Sequence, residues 1–451
     1  MSLDENQPTQ AAALHSSAYG TRNGLTYGLM GFPLAFAALP LYVILPNHYA
    51  RSFGVPLATL GAILLGARLF DAFIDPAIGK LVDRLFTRSA NAVLAFGAVA
   101  AVVLALGFIL LFFPPALSQT GLLAWAGIML MITYAGYSAL MVAHQAWGAL
   151  LGGSETQQSR IVAWREGLGL LGVVTASVLP ALVGLPSTAA VFCAALALAW
   201  LGWQRAFRPP AGPVNRDALA LTAGGRSPVP AAGSVWLPWQ QAPFRRLMTV
   251  FIFNGIASAV PATLVLFFIQ DLLQAPPALE PLFLGSYFLC AAMAIPLWLG
   301  AVKRFGLARS WLAGMALSIA VFIWASQLGA GDVAAFALVC ALSGAALGAD
   351  LALPGALLAG VIHAGQVRHP ALAAGGYFGW WNFATKLNLA LAAGLALPLL
   401  SLFGYAPGVR DAGALNALVI AYCLLPCLLK MLAAVCLYVL VIRPGRKESS
   451  T

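Results

Sequence analysis

Between Arg88 and Glu155 this chain carries no Asp, Glu, Lys or Arg, and similar uncharged apolar runs recur along its length. A hydrocarbon core about 30 Å thick needs about 20 apolar residues to cross it as a helix. Each run is long enough. Inside lipid the backbone must satisfy its own polar groups, which leaves helices as the spanning element for such runs. Composition agrees: 61% of the 451 residues are hydrophobic and 8% are charged, against roughly 25% charged in ordinary soluble domains. Soluble surfaces for a chain of this length cannot be built from so few charges. The fold class is therefore all-α integral membrane.

Twelve spans are predicted, near 25–46, 55–79, 90–113, 121–147, 166–185, 187–204, 244–270, 282–302, 309–328, 333–363, 377–404 and 414–441. The net charge of +10 is not spread evenly over the connections. Of the 24 Lys and Arg residues, only Arg51 and Arg410 fall on one set of loops, and Arg68, Lys386 and Lys430 fall within spans. The rest lie on the other set of loops and termini, including Lys80/Arg84/Arg88, Arg160/Arg165, Lys303/Arg304/Arg309, Arg368 and Arg443/Arg446/Lys447. That bias marks a cytoplasmic side, so both termini are expected in the cytoplasm and no nucleic-acid partner is implied. The polar start, Met1 to Thr21, is not a cleavable signal. Six cysteines, all in apolar segments, read as buried thiols.

The one long polar break, Gln204 to Pro243, is rich in Pro and Gly and carries Arg205, Arg208, Arg216 and Arg226. It suits a flexible linker. The expected organisation is a tail at 1–24, a six-helix bundle at 25–204, a cytoplasmic linker at 205–243, a second six-helix bundle at 244–441 and a tail at 442–451. Two such bundles around a midplane site are the arrangement of major facilitator transporters. A trace of the repeat is legible: Pro76 precedes Asp83-Arg84 by the same offsets at which Pro296 precedes Lys303-Arg304.

The comparison of halves isolates two carboxylates. Asp71 and Asp75 have Ala291 and Ile295 at the matching positions of the second half, so the repeat does not require them. They stand four residues apart on one helix face, with Arg68 one turn earlier. An ionised Asp at mid-membrane costs roughly 2.5–3.5 kcal/mol on insertion scales. Asp71 lies about 12 Å, and Lys386 of span eleven about 13 Å, from the cytoplasmic end of its helix. Two carboxylates bind a sodium ion or share a proton, and a nearby cationic side chain stands in when the site is empty. A fixed ion-pair network of the same four residues is the alternative.

Other residues are less decisive. Asp350 sits midway along span ten and Lys430 deep in span twelve, with no pairing legible from sequence. Trp381 and Asn382, near the start of span eleven, are candidate solute contacts, although aromatic residues there also suit an interfacial belt. Cys423, Cys427 and Met431 recur every four residues and raise a soft-metal reading. No nucleophile elbow, metal-binding His pair or phosphate loop points to a membrane enzyme. A sensor or assembly factor on a transporter scaffold is a further alternative.

The string Arg68-Leu-Phe-Asp71-Ala-Phe-Ile-Asp75-Pro76-Ala-Ile-Gly79, with Asp83-Arg84, resembles the span-two signature of the glycoside–pentoside–hexuronide:cation symporters of the major facilitator superfamily. Tyr27-Gly28, Ser159-Arg160, Trp164-Arg165-Glu166 and Thr385-Lys386 agree in order. The resemblance implies symport of a small solute with H+ or Na+ by alternating access, a cation site at Asp71 and Asp75 with Lys386 nearby, and family sugar-pocket positions at Trp147 and Arg165. It does not carry a galactoside pocket, because Ala35 and Ala143 stand where disaccharide carriers have carboxylates, and Gly360 and His363 where acidic residues are common. Relatives that carry amphiphilic lipids leave a non-sugar solute open. The expectations are a monomer in the bacterial inner membrane, not an enzyme, with no cofactor and no metal beyond a coupling Na+.

Overall fold

The computed structural model describes residues 20–53, 57–151, 154–209, 236–368, 374–402, 404–405, 408 and 411–444. Most of the expected N-terminal tail, the middle of the central linker and most of the C-terminal tail lie outside them. The described residues are helical and contain no strand. In chain order the α-helices are α1 (Thr21–Gly28), α2 (Gly31–Leu39), α3 (Leu45–Phe53), α4 (Leu57–Arg88), α5 (Ala90–Phe112), α6 (Gln119–Leu150), α7 (Glu155–Arg205), α8 (Leu237–Gln240), α9 (Ala242–Phe267), α10 (Glu280–Phe305), α11 (Leu307–Ala325), α12 (Val333–Arg368), α13 (Ala374–Leu402), α14 (Ala412–Val419) and α15 (Leu425–Leu437). Short π-helical stretches at Pro40–Ile44, Phe268–Leu272 and Ile420–Leu424 carry three spans across register changes.

Among the described residues nine helices are long and apolar enough to cross a membrane. Segments 25–46, 55–79 and 377–402 are also helical where described, apart from a turn at residues 29–30, but they are not among the nine. Starts follow the expected chemistry. Ser89, Ser118 and Ser154 accept from the backbone N–H groups of Ala92, Gly121 and Gln157, donors in the first turn, where the i→i−4 ladder supplies no acceptor. Spans five and six run together as α7 and separate at Gly184, whose φ of 78° is a conformation that L side chains rarely adopt.

The chain forms two compact units: residues 1–238 with 359–383, and residues 239–358 with 384–451. The division therefore passes through α12 and α13 as well as near the linker. In the first unit α1 and α2 pack along α7, while α4 and α5 pack along α6. Small residues permit close approach, as expected where helices meet in lipid: a Cβ at Gly28 would run 2.8 Å from the Trp164 carbonyl. Phe36, Phe108 and Phe192 form its aromatic core. In the second unit α9 and α11 pack on α15, and Phe268 stacks on Tyr422 with ring centroids 4.2 Å apart.

Candidate functional site

Spacing four residues apart on α4 turns Asp71 and Asp75 the same way, into the first unit. Asp71 is 2% exposed and Asp75 0%, whereas Phe73 between them is 69% exposed. Ser138 of α6 donates to Asp71 Oδ1 at 2.7 Å. Buried Tyr134, one turn earlier on α6, stands beside both Arg68 and Asp71. Arg68 itself reaches the surface of the unit. Tyr137 lies within electrostatic reach of Asp71, Asp75, Arg165 and Glu166. The carboxylates thus belong to a polar interior that runs from α4 across α6 to α7.

That interior continues at Arg165. Its guanidinium donates through Nε at 3.0 Å and through Nη2 at 2.5 Å to Glu166 Oε1 and also engages Tyr27. Tyr27 stacks on His144 with centroids 4.1 Å apart and donates to the His144 carbonyl. Trp147 is fully buried: its indole N–H donates to the Phe207 carbonyl at 3.0 Å, and Trp203 packs edge-on against it. Asn382 donates to Gln145 Oε1 at 2.9 Å, joining α13 to α6, and Trp381 beside it is 7% exposed.

The start of α13 is held by Asp83, beyond the end of span 55–79. Gly376 N–H donates to Asp83 Oδ2 at 2.8 Å and Gly375 N–H donates to Oδ1, so two unsatisfied donors of a helix start share one carboxylate. Burial outweighs these bonds and pushes the Asp83 carboxyl up to about 7. A Cβ at Gly379 would fall 2.5 Å from the Asp75 carbonyl, so only glycine lets α13 lie so close to the backbone of the acidic turn.

Asp350 and Lys386 belong to the second unit. Lys386 is half-buried on α13. Asp350 pairs with Lys430, Nζ to Oδ2 at 2.7 Å. Trp311 and Asn254 donate to its Oδ1 at 2.8 and 3.1 Å, and Ser258 donates to Oδ2 at 3.3 Å. The thioether and thiols of the proposed ladder do not share one environment: Cys423 is 0% exposed and Met431 44%. The π-helical stretch at Ile420–Leu424 shifts the register that the spacing of four assumed. Among the described residues no three His, Cys, Asp or Glu side chains group as metal ligands.

Sequence reasoning placed Asp71, Asp75 and Arg68 on one helix but missed Ser138, Tyr134 and Tyr137, whose spacing of three and four on α6 was the available signal. The Asp350–Lys430 pair was invisible because the partners of Asp350 come from three other helices, α9, α11 and α15.

The profile of the family described as MFS/sugar transport protein matches residues 26–443. The uncharacterized symporter YjmB of Bacillus subtilis (strain 168) is 24% identical over 415 residues, 88% of each chain. The inner membrane symporter YicJ of Escherichia coli (strain K12) is 26% identical over 170 residues, 37% of this chain and 36% of that one. In fold, the chain is similar to an outward-facing bacterial homologue of the iron transporter ferroportin (TM-score 0.68, 14% identity, 93% of this chain and 99% of that one). It is also similar to the E. coli fucose:proton symporter FucP (TM-score 0.63, 16% identity, 94% and 99%). The resemblance read from span two agrees with these symporter relatives, and the major facilitator fold is the one expected. With a match running through nearly its whole length, the chain belongs to the MFS/sugar transport protein family, a family of multi-pass membrane transporters and not of enzymes.

Proposed function

We propose that this protein is a cation-coupled symporter that carries a sugar or another small organic solute across a bacterial inner membrane by alternating access, with both termini in the cytoplasm. The coupling ion, H+ or Na+, binds at Asp71 and Asp75, with Arg68 and Lys386 as the cationic groups that answer it. Solute is taken by Trp147, Arg165, Trp381, Asn382 and Asp350 as the bundles 25–204 and 244–441 rock about a midplane site. One observation carries the reading: two carboxylates in a membrane helix are turned inward and buried, and one of them is held by the hydroxyl of Ser138. An intramembrane carboxylate costs roughly 2.5–3.5 kcal/mol and recurs where an ion path needs it. Ion occupancy then biases the populations of the two access states and is coupled to transport to the extent that it changes the affinity for solute.

The test uses purified protein in proteoliposomes and a panel of sugars under an imposed Na+ or pH gradient. Asp75→Asn and Asp71→Asn are expected to abolish gradient-driven accumulation and to leave exchange of labelled sugar across the membrane. Wild-type accumulation by either variant overturns the cation site.

A further inference from the structure

The second unit holds a partly open cavity of about 170 Å³ that the cation site does not involve. Its walls are mostly apolar and aromatic, with Phe283 and Tyr287 from α10, Phe322 from α11 and Tyr422 from the π-helical stretch before α15, and the paired Asp350 and Lys430 make up its charged end. The charged end is a built site. The Asp350 carboxylate already accepts four donors, from Trp311, Asn254, Ser258 and Lys430. The Lys430 side chain is 7% exposed and gives two of its three N–H groups to Asp350 and Ser258. Its third N–H has no acceptor among the described residues.

We propose that this cavity binds a small neutral amphipathic molecule: a body the size of one aromatic ring, with a single hydrogen-bond-accepting oxygen that takes the remaining N–H of Lys430. Size sets the body, since an apolar cavity of about 150 Å³ stays dry and takes up benzene. Charge sets the head. Asp350 and Lys430 together are electrically neutral, so an anionic head would crowd the carboxylate and a cationic head would have to displace the ammonium, each at the cost of an unpaired buried charge. A free sugar is disfavoured because its ring of hydroxyls would meet walls with too few partners. The inference stands apart from the cation site, which lies in the other unit, but it rests on the solute contact proposed at Asp350 and narrows the solute there from a sugar to a small neutral amphipath.

Binding to the full-length protein in detergent is read by calorimetry, with benzamide as the neutral probe and benzoate, benzylammonium and glucose as comparators. Saturable benzamide binding is expected, with each comparator weaker by about tenfold or more. Ser343 lines the cavity and, among the described residues, bonds only within its own helix, to the Cys340 carbonyl. Ser343→Leu therefore fills the space without touching the ion pair, and a loss of about tenfold or more in benzamide affinity is expected. Asp350→Asn/Lys430→Met removes both charges together and should lose affinity similarly, while Asp71→Asn retains it. Benzamide binding that is absent, unchanged in Ser343→Leu, or no tighter than that of benzoate or glucose overturns the proposal. Unchanged circular dichroism of Ser343→Leu separates loss of the site from loss of the fold.

Discussion

Ser138 and Asp71 meet across two helices, and neither side chain has water to fall back on. An ionised carboxylate in such a place needs donors, and the Ser138 hydroxyl at 2.7 Å is one of them. Hydrogen bonds to charged groups contribute about 1.5–3 kcal/mol. Ser138→Ala is accordingly expected to destabilise the protein by about that amount, read by denaturant or thermal unfolding in detergent. The bond is isolated by a double-mutant cycle with Asp71→Asn: the pair of substitutions should cost less than the sum of the two. Strict additivity would mean that the hydroxyl contributes nothing to the carboxylate. Lys430 poses the same problem with the opposite sign. Removing its partner alone by Asp350→Ala leaves a buried ammonium, and a loss of about 3–5 kcal/mol is expected, larger than for the charge-free double variant. Equal losses would show that the pair is not buried as a unit.

Elements are joined where side chains substitute for helix geometry that lipid cannot supply. The start of α13 is such a place, since Gly375 and Gly376 present N–H groups that Asp83 of α4 accepts. The carboxyl of Asp83 titrates near 7 in the folded protein, and near 4 in an unfolded chain. The sign follows from linkage. A carboxyl raised on folding holds its proton more tightly in the native state, so its contribution to stability is full below about pH 4 and is lost as pH rises through about 7. The melting temperature of wild type relative to Asp83→Asn should therefore fall between about pH 5 and pH 7 and level off above that range. A difference that stays flat, or rises with pH, contradicts the assignment. The same joint explains Gly79, where a Cβ would strike the Gly375 carbonyl. Pro76 marks this stretch in the sequence, but nothing local to either helix announces that the two backbones touch there.

At the scale of the whole molecule, what could be read in advance was whatever lipid imposes on every residue of a span. Helical class, the places of the spans and the inward turn of Asp71 and Asp75 follow from length, hydropathy and a spacing of four. The partners of Asp350 could not be read, because they come from Asn254 and Ser258 on α9, Trp311 on α11 and Lys430 on α15. Such a set is assembled by packing alone. Orientation across the membrane rests on a third kind of information, the distribution of Lys and Arg over the loops. If both termini are cytoplasmic, as proposed, the connections near Thr87 and Arg309 face inward and those near Ala116 and Ala330 face outward. Each of Thr87, Ala116 and Ala330 is exposed on its loop or helix end, and the native cysteines are buried or half-buried. Single cysteines at these three positions report the arrangement directly. A membrane-impermeant maleimide applied to intact spheroplasts should label Ala116→Cys and Ala330→Cys, and should reach Thr87→Cys only after lysis. Labelling of Thr87→Cys in intact cells would invert the topology. Labelling of Ala116→Cys without Ala330→Cys would break the parity between the halves, and with it the count of twelve spans.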